Sequence, residues 1–165
     1  MGTRPVPRRA VGRLGFAPQF SRSAEAVYEQ ITAQGQTAFD SVRLVIRGYP
    51  DTTVIVKDTT VFFDNSSTDL TLDLDVPVQT DGQKFSVGLS YQNGGRDNVV
   101  FSGSAVVQSH PADKPAPPGD QTITVNYAGP GATATRLTIN PASLTLDGNS
   151  VTSLQLRAFD ASNKE

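Results

Sequence analysis

The chain of 165 residues has no cysteine and no tryptophan, and its one histidine, His110, lies in a proline-rich stretch. Disulfides, thiolate nucleophiles and the usual Cys/His zinc clusters are therefore excluded. Charge is also scarce, with 18% of residues charged, too few for a solvated disordered tail or a coiled coil. No segment offers the roughly 18 apolar residues of a membrane-spanning helix. Arg13 breaks the apolar stretch between Ala10 and Phe20, so the chain carries no intact secretory signal. Val6 stands where the myristoylation pattern of a Met-Gly start needs Ser or Thr. What remains is a chain rich in turn formers, with 14 Gly and 11 Pro, and 37% hydrophobic residues to build a core. That balance points to a folded protein of strands and turns.

The net charge of −2 conceals an asymmetry. Residues 1–24 carry Arg4, Arg8, Arg9, Arg13 and Arg22 with no acid, and the remaining 9 basic residues face 16 acidic ones. Pro5, Pro7 and Gly12 rule out a regular helix here. Residues 1–22 are thus expected to form an extended basic arm on an acidic body, with Phe16 and Phe20 anchoring it. Such an arm suits an acidic protein or an anionic headgroup layer, each Arg near that layer contributing on the order of 1 kcal/mol. The plainer alternative is a solvated tail or a remnant of a targeting segment. Nucleic acid is not an expected partner, because the acidic body repels phosphates and the arm has few stacking aromatics.

A single helical signal follows. Ala24, Val27, Tyr28 and Ile31 share one face, with Ser21 or Ser23 as N-cap and Gly35 as terminator. From residue 41 the period changes to two. Val42, Leu44 and Ile46 predict a strand ending at the Gly48-Tyr49-Pro50-Asp51 turn; Val54, Val56 and Val61 predict another. Residues 69–76 alternate Asp or Thr with aliphatics, which predicts one wet face and one core face. Phe85, Val87, Leu89 and Tyr91 form a strand joined through Asn93-Gly94-Gly95 to Val99–Phe101 and on to Val107. Residues 109–120, with four prolines, are expected to be an exposed loop, and Ile123, Val125 and Tyr127 a closing strand. About seven short strands separated by turns indicate an antiparallel sandwich or barrel. The uneven spacing and the long proline loop favour the sandwich.

Sites of chemistry are few. Asp69, Asp73 and Asp75 on one strand spread over about 20 Å, too far to share one ion, and read as a solvated acidic face. His110 on a proline-rich loop lacks the scaffold of a catalytic triad, and no nucleophile elbow or phosphate loop occurs. Asn65-Ser66-Ser67 fits a glycosylation triplet and equally a plain turn. No catalytic residue, metal site or cofactor is expected. Phe62 and Phe63 are adjacent and so point to opposite faces, which makes one ring, taken as Phe63, a candidate for partner contact. Tyr49 and Tyr91, in or beside turns, are candidates for the same role, together with Arg4, Arg8, Arg9, Arg13, Phe16 and Phe20 of the arm.

Residues 135–165 contain a strand ending at Asn140-Pro141-Ala142, a short strand Ser143 to Leu146, an Asp147-Gly148-Asn149 turn, and a strand from Leu154 to Asp160. Over these 31 residues the chain resembles the opening of a bacterial immunoglobulin-like domain of the invasin and intimin type. Strand count and turn spacing make the expected fold of residues 23–128 an all-β, immunoglobulin-like antiparallel β-sandwich with one short helix. A linker and a partial second domain follow at 129–165. The resemblance implies that the polypeptide continues beyond Glu165, or that the fragment pairs elsewhere to satisfy its edges. It further implies an extracytoplasmic spacer, adhesion module or extrinsic subunit rather than an enzyme. One concrete form is an extrinsic subunit bracing the membrane subunits of a bacterial photosynthetic reaction centre and its light-harvesting complex. The alternatives are a carbohydrate-binding surface module, which needs Tyr49, Tyr91 and Tyr127 aligned on one face, and a hydrolase working with carboxylates alone.

Overall fold

The computed structural model describes residues 10–62, 72–114, 121–145, 148 and 151–165. Arg4, Arg8, Arg9, Phe63, the Asn65 triplet, Asp69 and residues 115–120 lie outside them. The chain divides into two compact units, residues 1–127 and 128–165. Among the described residues it is mostly β with one helix, as expected of a β-rich chain.

In the first unit the strands are β1 (Ala10–Phe20), β2 (Ser41–Arg47), β3 (Ile55–Phe62), β4 (Leu72–Val78), β5 (Lys84–Gln92), β6 (Val99–Gln108), β7 (His110–Pro111) and β8 (Thr122–Tyr127). They follow one path, β3-β2-β5-β6-β8-β1-β4, with β7 beside β1. The end strands β3 and β4 contact each other, so the sheet curls nearly into a barrel.

β1 makes this path possible. Residues 10–16 pair antiparallel with β4, and residues 17–20 pair parallel with β8. Residues 10–20 are therefore a central strand and not part of an arm outside the β domain. Leu14 and Phe16 are fully buried. Pro18 is tolerated because Ala17 and Ser21 donate their N–H groups to Gln121 and Val125 of the β8 side, each at 2.9 Å. The intervening position 18 faces away from β8, where no N–H is needed.

Helix α1 (Arg22–Ala33) begins where β1 stops. The Ser21 hydroxyl accepts the Ala24 N–H at 3.3 Å, and Gly35 ends the segment at φ 72°. Ala24 is buried, and Val27, Tyr28 and Ile31 pack on the core. The proline-rich loop is corrected at its start: His110 and Pro111 pair with Arg13 and Gly12, and the Ser109 N–H donates to the Gln83 carbonyl at 2.8 Å. A two-residue pairing of this kind carries no periodic signal in the sequence.

The core lies inside the curl, built from Leu44 and Ile46 of β2, Phe85, Val87, Leu89 and Tyr91 of β5, Phe101 of β6, and Ile123 and Val125 of β8. Phe39, just before β2, closes one end against Phe20, Tyr91 and Phe101, with its ring 4.8 Å from that of Tyr91. Full burial of each such side chain stabilises by about 1.5–3 kcal/mol. Gly103 permits the close approach of β6 and β8, since a Cβ there would strike the Thr124 carbonyl.

Among its described residues, the second unit pairs β9 (Arg136–Asn140) antiparallel with β10 (Gln155–Phe159). Leu156 stands opposite Ile139 and Ala158 opposite Leu137, so these four share one face. The Arg136 guanidinium lies over the Phe159 ring, 4.5 Å from its centroid. Ser143, Leu144 and Thr145 belong to no strand, contrary to the short strand expected there; Leu146 lies outside the described residues.

Candidate functional site

Tyr49 sits on a turn that hydrogen bonds hold in place. The Gly48 N–H donates to the Val54 carbonyl at 3.0 Å, and Arg47 reaches the Thr52 carbonyl at 3.3 Å. The Asp51 carboxylate accepts the Thr53 hydroxyl at 2.6 Å and its N–H at 3.0 Å. The hydroxyl, then the N–H, keep Asp51 below the usual carboxylate range. A Cβ at Gly48 would meet the Asp51 carbonyl at 2.7 Å, so the turn depends on glycine there.

This turn presents the 45% exposed Tyr49 ring over a groove of about 480 Å³ lined by Pro50, Val54, Val56, Pro77, Val78 and Phe85. Val54 and Ile55, where β3 begins, are more than half exposed, and Val11, which stands opposite Pro77 in the β1–β4 ladder, has half its surface free. The exposed apolar side chains of the first unit thus concentrate at this end, with Phe62 and Val106 elsewhere. Sequence alternation placed Val54 in a core strand. It is exposed because it lies in the turn before the edge strand begins.

The remaining candidates are dispersed. The Arg13 side chain lies 4.0 Å from Asp75 across the β1–β4 ladder. Phe16 and Tyr91 have no accessible surface, which removes both from the contact surface. Phe20 is half-buried among Tyr28, Phe39, Tyr91 and Phe101. Tyr91 alternates in step with Leu89 and Val87 and so faces inward, where burial pushes its phenol well above the ordinary value. Of the Phe62–Phe63 pair, Phe62 carries an exposed ring, with 78% of its surface free.

A second groove, of about 620 Å³, lies beside Phe62 and contains Asp40, Ser41, Asp58, Gly94 and Arg96. Asp40 accepts the Gly94 N–H and the Ser41 hydroxyl, each at 2.8 Å. Asp58 accepts two N–H groups of Arg43, at 2.9 and 2.6 Å. The Gly94 amide and then Ser41 hold Asp40 below the usual carboxylate range, and Arg43 does the same for Asp58. Two carboxylates that share a groove and are both held ionised supply no general acid, which needs a carboxyl raised toward neutral pH. A third hollow, of about 670 Å³, is the outer face of β2, β5, β6 and β8, carpeted by Ser86, Gly88, Ser90, Ser102, Ser104 and Thr124.

The aromatic row that a sugar-binding face requires is not formed by Tyr49, Tyr91 and Tyr127. Tyr91 is in the core, and Tyr127 packs on Phe101 with centroids 5.9 Å apart. Among the described residues, no three His, Asp or Glu side chains gather closely enough to hold a metal ion. None of the helices described is long and apolar enough to cross a membrane. No protein-family model, curated protein or solved structure matches the chain.

Proposed function

We propose that the chain is a non-catalytic, protein-binding component of the cell envelope, extracytoplasmic and membrane-associated through its partners. The observation that carries this reading is the groove beneath Tyr49, lined by Val54, Val56, Pro77, Val78 and Phe85 and bordered by a turn stiffened by hydrogen bonds. A preformed apolar pocket with a polar rim suits the anchor side chain of a protein partner, because little ordering entropy is lost on contact. The two carboxylates of the neighbouring groove are engaged by their own hydrogen bonds, which supports binding over catalysis. An immunoglobulin-like sandwich is the finer reading of the fold. It is supported by β1, which leaves one ladder for another as corner strands do when they pass between packed sheets. A brace on a membrane complex, such as a photosynthetic reaction centre with its antenna, is the concrete form of the role.

The test is crosslinking in cells followed by recovery of the tagged full chain from fractionated envelopes. Tyr49→Ala combined with Val54→Ser is expected to cut partner recovery about tenfold, with an unchanged circular dichroism spectrum. Undiminished recovery, or residence in the cytosol, would overturn the reading.

A further inference from the structure

The turn between β5 and β6 carries the pair Asn93-Gly94, and no other asparagine of the chain precedes a glycine. Such a pair is reactive in a free peptide, because glycine has no Cβ to shield its nitrogen. The Gly94 nitrogen bonds to the Asn93 side-chain carbonyl carbon and closes a five-membered imide. The bond to Nδ2 breaks, and Nδ2 leaves as ammonia with the proton that the Gly94 nitrogen gives up. Water then opens the imide at either carbonyl, giving aspartate or, with the backbone rerouted through the side chain, isoaspartate.

In the folded chain both reacting nitrogens are engaged. Asn93 Nδ2 donates to the Thr37 carbonyl at 2.7 Å, and the Gly94 N–H donates to the Asp40 carboxylate at 2.8 Å. Thr37 and Asp40 lie between α1 and β2, far from the turn in sequence. Asp40 is itself fixed there: its N–H donates to the Gln92 carbonyl at 2.9 Å, and its other carboxylate oxygen accepts the Ser41 hydroxyl at 2.8 Å. Within the turn, Asn98 Nδ2 donates to the Asn93 carbonyl at 2.7 Å, and the Asn93 N–H donates to the Asn98 carbonyl at 3.1 Å.

Ring closure requires the Asn93 amide to turn toward its own backbone and the Gly94 nitrogen to lose its proton. The Thr37 bond resists the first. The Asp40 carboxylate resists the second, since negative charge building on the nitrogen would lie beside an anion. The donors on Asp40 hold it below the usual carboxylate range, so it is a weak base toward that proton. Gly94 is exposed and Asn93 only half-buried, so water already reaches this turn. What the reaction waits for is local opening of these bonds.

We propose that Asn93 is a site of spontaneous deamidation guarded by a latch, in which Thr37 and Asp40 hold the two reacting nitrogens and conversion proceeds only when the latch opens. Conversion is one-way. A carboxylate at position 93 has no hydrogen to donate to Thr37 and places a negative charge beside Asp40, so the side-chain tie between the turn and the segment before β2 does not form again. This chemistry stands apart from partner binding at Tyr49.

The test incubates the full chain at mildly alkaline pH, native and unfolded in urea, and follows the peptide carrying residue 93 by mass spectrometry, with aspartate and isoaspartate separated by chromatography. Asn93 should convert first among the asparagines of the unfolded chain, and at least about tenfold more slowly in the native one. Asp40→Ala should speed conversion in the native chain about tenfold, the order expected from losing a hydrogen bond to a charged acceptor. Asp40→Asn, which keeps an acceptor without the charge, should fall between. Amide exchange should quicken at Gly94 in both variants while β5 and β6 stay protected, which separates latch opening from unfolding; if Asp40→Ala unfolds, Asp40→Asn decides alone. A native rate equal to the unfolded rate, a rate indifferent to the Asp40 variants, or earlier conversion of another asparagine in the unfolded chain would refute the guarded site.

Discussion

The two units use the same two-residue alternation and arrive at opposite surfaces. In β2, Val42, Leu44 and Ile46 alternate with Arg43, Val45 and Arg47 and are almost completely buried; in the hairpin, Leu137, Ile139 and Leu156 alternate with polar neighbours and are 63%, 54% and 63% exposed. Alternation settles which face of a strand is apolar. Whether that face is covered depends on a second layer, supplied in the first unit by the curl of the sheet, by α1 and by Phe39. A two-stranded hairpin has no such layer of its own, and in water it is marginally stable.

The comparison breaks or sharpens most decisively at β1. Deleting residues 1–20 removes the strand that joins β8 to β4 and is expected to abolish cooperative unfolding of the first unit. Deleting residues 1–9, which stops short of β1, should leave the thermal midpoint within a few degrees of the intact chain. A folded chain without residues 1–20 would show that the curl closes without its bridge.

Paired truncations come next. Phe39→Ala empties a site walled by Phe20, Tyr28, Tyr91 and Phe101 and should cost about 3–5 kcal/mol in chemical denaturation. Leu156→Ala removes an exposed side chain and should change stability by less than about 0.5 kcal/mol. A comparable loss from both would mean that the hairpin face is covered in solution, and the contrast between the units would disappear.

The smallest effect concerns the ion pair behind the β3 edge. Arg43 lowers the folded-state pKa of Asp58, so the pair's contribution is present above the ordinary carboxylate range and fades as pH falls through the lowered value. Asp58→Asn should therefore flatten part of the acid limb of a stability–pH profile and leave the neutral limb parallel to that of the native chain. An unchanged acid limb would place the pair's effect below detection, as is common for exposed pairs.

Much of the fold is legible in the residues. Phe85, Val87, Leu89 and Tyr91 mark β5 with its inward face, and Ser21 marks the start of α1 because its hydroxyl can meet a free helix N–H. β1 escapes a local reading. Pro5, Pro7 and Gly12 exclude a helix and the arginines suggest an arm, whereas the strand is made by partners some 60 and 105 residues away along the chain. The candidate surface is legible in part. Tyr49 is announced by its Gly-Tyr-Pro-Asp turn, but the apolar residues that share its groove, Pro77 and Val78 of β4 and Phe85 of β5, are assembled only by the tertiary path. Tyr91 shows the converse: being near a turn says little when the alternation of its strand points the ring inward.

The parallel pairing of β1 with β8 has a mechanical consequence. Ala10 at one end of the first unit and Tyr127 at the other pull these two strands lengthwise past each other when the unit is stretched between them. Their hydrogen bonds then resist as a group, in shear, instead of opening one after another as in a peeled hairpin. A protein that holds partners under tension would gain from such a clamp, and β9–β10, whose strands are joined at one end, has no equivalent.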